Sequence, residues 1–310
     1  MARVVVLGAS GFLGSHLCDA LISRGDEVIG MDDLSSSDGS NIAHLEGSPQ
    51  FQFFRGDICD GIHVNGKVDA VLNFASPASP PLYSTMPVHT LRTGSAGTEN
   101  ALRLALDHDA RFVMASTSEV YGDPAVSPQK ESYWGNVNSI GERSCYDEAK
   151  RYAEAVCMAY KRQYGANVGI VRIFNTYGPR LDKNDGRVVS NFVCQALRGE
   201  KLTVYGDGTQ TRSFCYVDDE IRGVLALLDS EESGPVNIGN PKEFTMIELA
   251  KLVLELTGSD FSVEFRPLPS DDPMQRCPDI SLAQELLGWS PEIDLRQGLV
   301  KTIDWFREKV

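Results

Sequence analysis

The sequence predicts an α/β protein: a doubly wound, Rossmann-type parallel sheet joined to a smaller C-terminal α/β substrate-binding lobe. Three observations carry this. Short β-branched runs alternate with stretches of helical spacing in the first part of the chain. A glycine-rich turn joins the first run to the first helix. Beyond residue 175 the alternation gives way to short segments punctuated by Gly, Pro and Asp, with no linker between the two regions. Short apolar runs alternating with helices are what a parallel sheet covered on both faces requires.

Taken in order, Val4–Leu7 reads as the first strand and Phe12–Arg24 as the first helix. Strands are expected at Glu27–Met31, Phe51–Phe54, Ala70–Phe74, Arg111–Ala115 and Val168–Ile173, with Ser35-Ser36-Ser37 as a loop. Helical spacing marks Pro87–His108 and Tyr146–Tyr164, then Arg187–Arg198, Asp218–Leu228, Met246–Leu256 and Leu295–Lys309. The expected division is 1–175 for a dinucleotide-binding domain and 176–310 mainly for a substrate lobe, with an approximate boundary that the chain can recross. Such a lobe folds onto the carboxyl edge of the sheet, where open α/β sheets bind ligands.

Composition narrows the function. With 43 acidic against 29 basic residues the net charge is −14, and such a surface repels phosphate backbones and anionic lipids. Nucleic-acid and membrane partners are therefore not expected. No apolar stretch approaches the roughly 20 residues that span a bilayer. Met1-Ala2-Arg3 runs straight into the first strand, so no signal peptide is read there. The seven cysteines are odd in number and form no C-x-x-C pair; they read as buried thiols of a reducing compartment. The expectation is a soluble cytoplasmic protein without a metal: Asp218-Asp219-Glu220 has no histidine nearby and reads as the acidic first turn of a helix.

Gly8-Ala9-Ser10-Gly11-Phe12-Leu13-Gly14 connects strand to helix. Gly8 allows a tight turn, Gly11 lets backbone approach a pyrophosphate, and Gly14 permits close helix–strand packing. Asp32 ends the second strand 18 residues beyond Gly14, near the spacing of a carboxylate that accepts from adenosine ribose hydroxyls. Asp32 with Asp33 would repel a 2′-phosphate, which favours NAD over NADP; Asp33 also reads as a solvated turn residue. Asp57-Ile58 either approaches the adenine or caps a loop.

Tyr146 and Lys150 stand four apart, which on a helix stacks them on one face. The ammonium is expected to pull the phenol towards the working pH and make it an acid/base. Ala115-Ser116-Thr117-Ser118-Glu119-Val120-Tyr121-Gly122, at the end of the fifth strand, brings hydroxyls and a carboxylate to the same edge.

A glycine turn, a strand-end Thr/Ser cluster and a Tyr/Lys helix in this order resemble the extended short-chain dehydrogenase/reductases that act on nucleotide sugars. The resemblance sharpens at Asn73-Phe74-Ala75-Ser76-Pro77-Ala78-Ser79-Pro80-Pro81-Leu82-Tyr83, which is similar to the Pro-rich segment of UDP-glucuronate decarboxylases, here read as a stiff wall beside the sugar. It continues through Ser144–Lys150, Arg172–Arg180, Asn184–Phe192, Thr203–Gly206, Gln210–Arg212, Asp271-Asp272-Pro273, Arg276–Ile280 and Leu287–Trp289. Dehydratases of this branch carry Thr-Asp-Glu where this chain has Thr117-Ser118-Glu119, the decarboxylase-like form.

What the resemblance implies is NAD-dependent conversion of UDP-glucuronate to UDP-xylose. C4 is oxidised with Tyr146 as base, CO2 leaves the 4-keto acid, and C4 is reduced again, with escape of some 4-keto-pentose as a side outcome. Thr117 would orient the C4 oxygen, Lys150 hold the nicotinamide ribose, Ser118 bond the sugar, and Glu119 assist carboxyl loss or protonation. Phe12, Leu13, Ala75 and Ile58 join the cofactor set. Pro77, Tyr83, Asn175, Val188, Asn191, Tyr205 and Gln210 join the substrate set, with Arg187, Arg212 and Arg276 on diphosphate or uridine-ribose groups. A homodimer through Pro87–His108 and Tyr146–Tyr164 is implied. Two stretches depart from the family: Thr93-Gly94-Ser95-Ala96-Gly97-Thr98 lacks an expected Asn, and Asp33–Gly39 lacks an aromatic and basic residues. Both would loosen cofactor contacts. The alternatives are a nucleotide-sugar 4-epimerase or 4,6-dehydratase, or a non-catalytic NAD-binding protein.

Overall fold

The computed structural model describes residues 1–260, 262–267 and 275–310, so Asp271-Asp272-Pro273 lies outside the described residues. The strands of the first part are β1 (Arg3–Leu7), β2 (Glu27–Asp32), β3 (Phe51–Arg55), β4 (Ala70–Asn73), β5 (Arg111–Thr117) and β6 (Val168–Ile173). Later come β7 (Thr176–Tyr177), β8 (Leu202–Tyr205), β9 (Thr211–Ser213), β10 (Cys215–Tyr216), β11 (Val236–Ile238), β12 (Glu243–Thr245), β13 (Val263–Arg266) and β14 (Gln275–Arg276). Seven of them form one parallel sheet in the order β11-β6-β5-β4-β1-β2-β3. The order reverses between β1 and β4, the switch point at which such sheets bind ligands at their carboxyl edge.

Side chains alternate across this sheet, and both faces are covered. Val4 and Val6 enter one apolar cluster while Val5 and Leu7 enter the other, which is why the run is continuously apolar rather than alternating. The helices are α1 (Phe12–Ser23), α2 (Pro80–Thr85), α3 (Pro87–Arg92), α4 (Thr98–Asp107), α5 (Ser144–Tyr164), α6 (Val188–Leu197), α7 (Val217–Leu228), α8 (Met246–Thr257), α9 (Ser281–Leu287) and α10 (Leu295–Arg307). On one face α4 and α5 pack; on the other α1 and α7 do.

The expected helix over Pro87–His108 is interrupted. A π turn at Thr93–Gly97 joins α3 to α4. A Cβ on Gly94 would lie 2.6 Å from the Ala149 Cβ, and one on Gly97 2.6 Å from Ile58 Cδ1, so both glycines let this turn nest against its neighbours. The departure at Gly94 thus packs on α5, and it is Thr93 that lines the smaller cavity described below.

Beyond residue 175 the chain builds small sheets over the carboxyl edge: β7 with β10, β8 with β13, and β12-β9-β14. It also returns to the main sheet. β11 adds the seventh strand beside β6, a three-residue run too short to read as a strand from its pattern alone. All seven cysteines are free, six of them buried. Among the described residues no helix is long and apolar enough to cross a membrane.

Candidate active site

A cleft of about 1430 Å³ opens along the carboxyl edge of the sheet, between the sheet and the later segments. A smaller cavity adjoins it at the β1–β2 end, sharing Gly8 and Gly11. Phe12, Leu13, Gly14, Tyr83, Thr117, Ser118, Glu119, Tyr146, Lys150, Asn175, Arg187, Val188, Asn191, Tyr205, Gln210, Arg212 and Arg276 line the cleft. Asp32, Asp33, Asp57, Ile58, Ala75 and Pro77 line the smaller cavity. Pro77 therefore stands at the smaller cavity, while Pro80 and Pro81 form the wall of the cleft.

The glycine turn has a separate reason at each position. Gly8 has φ +79° and a Cβ there would sit 2.7 Å from the Phe74 carbonyl and the Ala75 N. A Cβ on Gly14 would come within 1.9 Å of the Gly8 carbonyl oxygen. At Gly11 the constraint is weaker: φ is −69°, and a Cβ would meet the Gly8 carbonyl oxygen at 3.3 Å, a tight contact but no overlap. Bare backbone at the N-cap of α1, which conformation does not require and packing only mildly favours, suits a site where a ligand approaches the chain closely.

Asp32 ends β2 with its carboxylate accepting from the Ser10 and Leu34 N–H groups at 3.0 and 2.9 Å. Burial nevertheless holds its carboxyl above the usual range. Asp33 meets His89 Nε2 at 3.2 Å, and His89 Nδ1 lies 3.9 Å from Asp57. Asp57 also accepts from the Cys59 N–H at 2.8 Å. The serine loop packs inward: Ser37 Oγ is 2.7 Å from Ser10 Oγ, and Ser35–Asp38 lines the cleft. The glycine turn thus lies at the junction of the two cavities, with the Asp32, Asp33 and Asp57 carboxylates around the smaller one.

On α5 the buried positions Tyr146, Ala149, Lys150, Ala153 and Cys157 form one stripe, so Tyr146 and Lys150 face the sheet together. The expected depression of the Tyr146 pKa is not what the structure has. Burial pushes the phenol up to about 12, against the pull of a hydrogen bond with Thr117 and of Arg187. Lys150 is itself desolvated, which lowers its amine to about 8. Its Nζ donates to the Ala115 carbonyl at 2.9 Å and lies 5.8 Å from the Tyr146 ring centroid. Sequence spacing supplies the neighbour but not the desolvation, which here is the larger effect.

Thr117 closes β5, and its hydroxyl accepts from the Glu119 N–H at 3.2 Å, setting the turn that carries Ser118 and Glu119. Glu119 lies between two guanidinium groups. Arg143 Nη2 reaches Glu119 Oε2 at 2.5 Å and Arg276 Nη1 reaches Glu119 Oε1 at 3.4 Å. Burial acts to raise the carboxyl, but Arg276 and Arg143 outweigh it and hold it down at about 2. Asp147, behind this cluster, is pushed up to about 7, chiefly by burial and then by the Glu119 charge.

Arg276 lines the cleft as expected; it is 2% exposed and donates to Ser118 Oγ at 3.1 Å and to the Gly122 carbonyl at 2.8 Å, which ties it to the strand-end cluster. Parallel pairing of β14 with β9 sets it opposite Arg212. Arg187 pairs with Asp185 at 2.8 Å. Gln210 donates to the Tyr205 carbonyl at 2.6 Å, and Asn191 to the Gly186 carbonyl at 3.0 Å.

Arg143 is the chief omission of the sequence reading. A cation at a helix N-terminus opposes the helix dipole, and that anomaly was its signal. His89 gave no comparable signal.

A sequence model described as the NAD dependent epimerase/dehydratase family matches residues 4–239. UDP-glucuronic acid decarboxylase 1 of Arabidopsis thaliana is 53% identical over 308 residues, covering 99% of this chain and 70% of that protein. The crystal structure of UDP-glucose 4-epimerase from Thermotoga maritima superposes with a TM-score of 0.92 at 30% identity, covering 99% of both chains. UDP-glucuronic acid 4-epimerase from Bacillus cereus, in complex with UDP-glucuronic acid and NAD, gives 0.87 at 28% identity over 99% of this chain and all of that one. With its glycine cradle, Tyr/Lys helix and Thr-Ser-Glu strand end, the chain belongs to the NAD dependent epimerase/dehydratase family, on its UDP-glucuronic acid decarboxylase branch.

Proposed function

We propose that this protein converts UDP-glucuronate to UDP-xylose and CO2 with NAD as a recycled cofactor. The observation that carries the reading is Glu119, held ionised between Arg143 and Arg276 beside Ser118. A cluster with Ser at 118 lacks the second acid that departure of water from C6 would use, whereas carbon leaving as CO2 needs none.

The Gly8–Gly14 turn would hold the cofactor diphosphate, Asp32 the adenosine ribose, Asp33, Asp57 and Ile58 the adenine side, and Lys150 the nicotinamide ribose. Bound NAD+ would supply the hydride acceptor at C4 and return the hydride at the end. Tyr146 takes the proton from the C4 hydroxyl, which Thr117 orients. In the resulting β-keto acid the C5–C6 bond breaks, its electron pair passes into the C4 carbonyl as an enolate, and C5 then takes up a proton. Glu119 at about 2 is no proton donor at neutral pH. It acts as an acceptor, for a sugar hydroxyl or for the water that brings the C5 proton. Asn175, with Arg187, Asn191, Tyr205 and Arg212 from the lobe 176–310, would contact the nucleotide.

Exposed apolar side chains on the paired helices, Val88 and Leu91 on α3 and Tyr152 on α5, support a homodimer through that face, and the seven free cysteines support a reducing, cytoplasmic setting. The test is incubation with UDP-glucuronate and NAD+, read by mass spectrometry with a Tyr146→Phe control. Loss of CO2 that the control abolishes is the expected result, and 4-keto-pentose with NADH would show a leaky final reduction. A mass-neutral conversion would replace this reading by a 4-epimerase.

A further inference from the structure

Ser79 stands where a serine ordinarily caps a helix by accepting an N–H of the first turn. At the start of α2 it makes no side-chain cap. The next two residues explain this. Pro80 and Pro81 carry no N–H, and the first N–H that follows, on Leu82, bonds the Ser79 carbonyl at 3.0 Å. Ser79 therefore lines the cleft as a residue 3% exposed, and its hydroxyl is buried without a protein partner.

Tyr83 repeats the pattern one turn later. It is 3% exposed, its hydroxyl has no protein partner, and its ring stacks on Tyr146 at 5.2 Å and 12°. Residues four apart share a helix face. Among the described residues these are the two buried side-chain hydroxyls without a partner. The cations around them are differently placed, since Arg143 and Arg276 pair with Glu119, and Arg187 with Asp185.

We propose that Ser79 is a further substrate-binding residue, and that the Ser79 and Tyr83 hydroxyls together receive the C6 carboxylate of the uronic acid sugar. The proposal rests on the decarboxylase reading. Tyr146 works at the C4 oxygen, and C6 hangs on the neighbouring carbon, so a carboxylate at that carbon falls beside the ring stacked on Tyr146. The chemistry favours this wall as well. As the C5–C6 bond breaks, a charged carboxylate becomes neutral CO2 and its electron pair moves to the C4 carbonyl. An arginine pair would be strongest with the carboxylate and weakest with CO2, which holds back the reaction. Neutral hydroxyls backed by proline bind the acid with a smaller penalty of that kind and leave apolar room for the gas.

The test uses calorimetric titration of NAD-loaded protein in a Tyr146→Phe background, which stops turnover. UDP-glucuronate is compared with UDP-xylose, identical except for the missing carboxylate. Ser79→Ala is expected to weaken UDP-glucuronate about 10-fold, the worth of a hydrogen bond to a charged group, and to leave UDP-xylose within about twofold. Tyr83→Phe, which keeps the stacked ring, should do the same and carries the test should Ser79→Ala melt early. Equal weakening of both ligands, or of neither, overturns the proposal. A selective loss in a protein whose wild type releases no CO2 would sink the decarboxylase reading and leave the carboxylate subsite standing.

Discussion

Replacing Arg143 by Met removes the shorter of the two ion pairs on Glu119, at 2.5 Å against 3.4 Å for Arg276, and keeps the aliphatic stem. Glu119 stands at about 2 against an ordinary 4.5, a gap worth about 3 kcal/mol in favour of the charged form. That figure is net, because burial pushes the other way. A charge-assisted hydrogen bond contributes about 1.5–3 kcal/mol, so its loss lifts the carboxyl by about 1–2 pH units, into the range just above pH 3 to 4. The assay is the pH dependence of kcat/KM for CO2 release between pH 4 and 8. Wild type should show no limb from Glu119 in that window. The variant should lose activity as pH falls towards 4, because Glu119 begins to protonate. The same sign holds for stability: a depressed carboxyl contributes above its unfolded value of 4.5 and stops contributing as pH falls through about 2, so the variant forfeits a substantial part of that contribution at pH 7, the part due to Arg276 remaining. An unchanged acid limb, in a variant still folded by circular dichroism at pH 4.5, would refute the idea that Arg143 keeps Glu119 charged.

Asp147→Asn should stabilise the protein at high pH. The carboxyl is raised to about 7 from 3.8, so folding favours its neutral form and that advantage disappears as pH rises from about 4 through 7. Urea unfolding should show the variant gaining up to about 4 kcal/mol on wild type between pH 4 and 8; a constant difference would contradict it. Gly11→Ala should fold with a near-wild-type urea midpoint yet lose NAD affinity at least tenfold by titration, whereas Gly14→Ala, with its Cβ 1.9 Å from the Gly8 oxygen, should fail to fold stably. Undiminished NAD binding by Gly11→Ala would remove the cradle. Tyr146→Phe should cut kcat by about 10²–10⁴, with UDP binding by calorimetry unaffected; a smaller loss would move the base elsewhere.

Local pattern was enough for the sheet, the glycine cradle and the Tyr/Lys helix. Each depends on neighbours in sequence: β-branched runs make strands, Gly8 and Gly14 turn one into α1, and a four-residue spacing puts Tyr146 above Lys150. The Thr117-Ser118-Glu119 triplet was likewise legible, because strand ends in parallel sheets face the ligand edge. The three-residue β11 was not, since its strand character comes from pairing with β6 rather than from its own composition.

Charge states in the site belong to the tertiary structure. The phenol of Tyr146 rises and Glu119 falls because burial and guanidinium groups from residues 143 and 276 act through space. No spacing rule relates Glu119 to Arg276, which reaches it only because β14 pairs with β9. The idle hydroxyl of Ser79 stands between these two cases. The Ser-Pro-Pro run removes its local partners, and that can be read along the chain. That it is buried at the cleft, one turn before the Tyr83 ring that stacks on Tyr146, depends on where the fold carries α2.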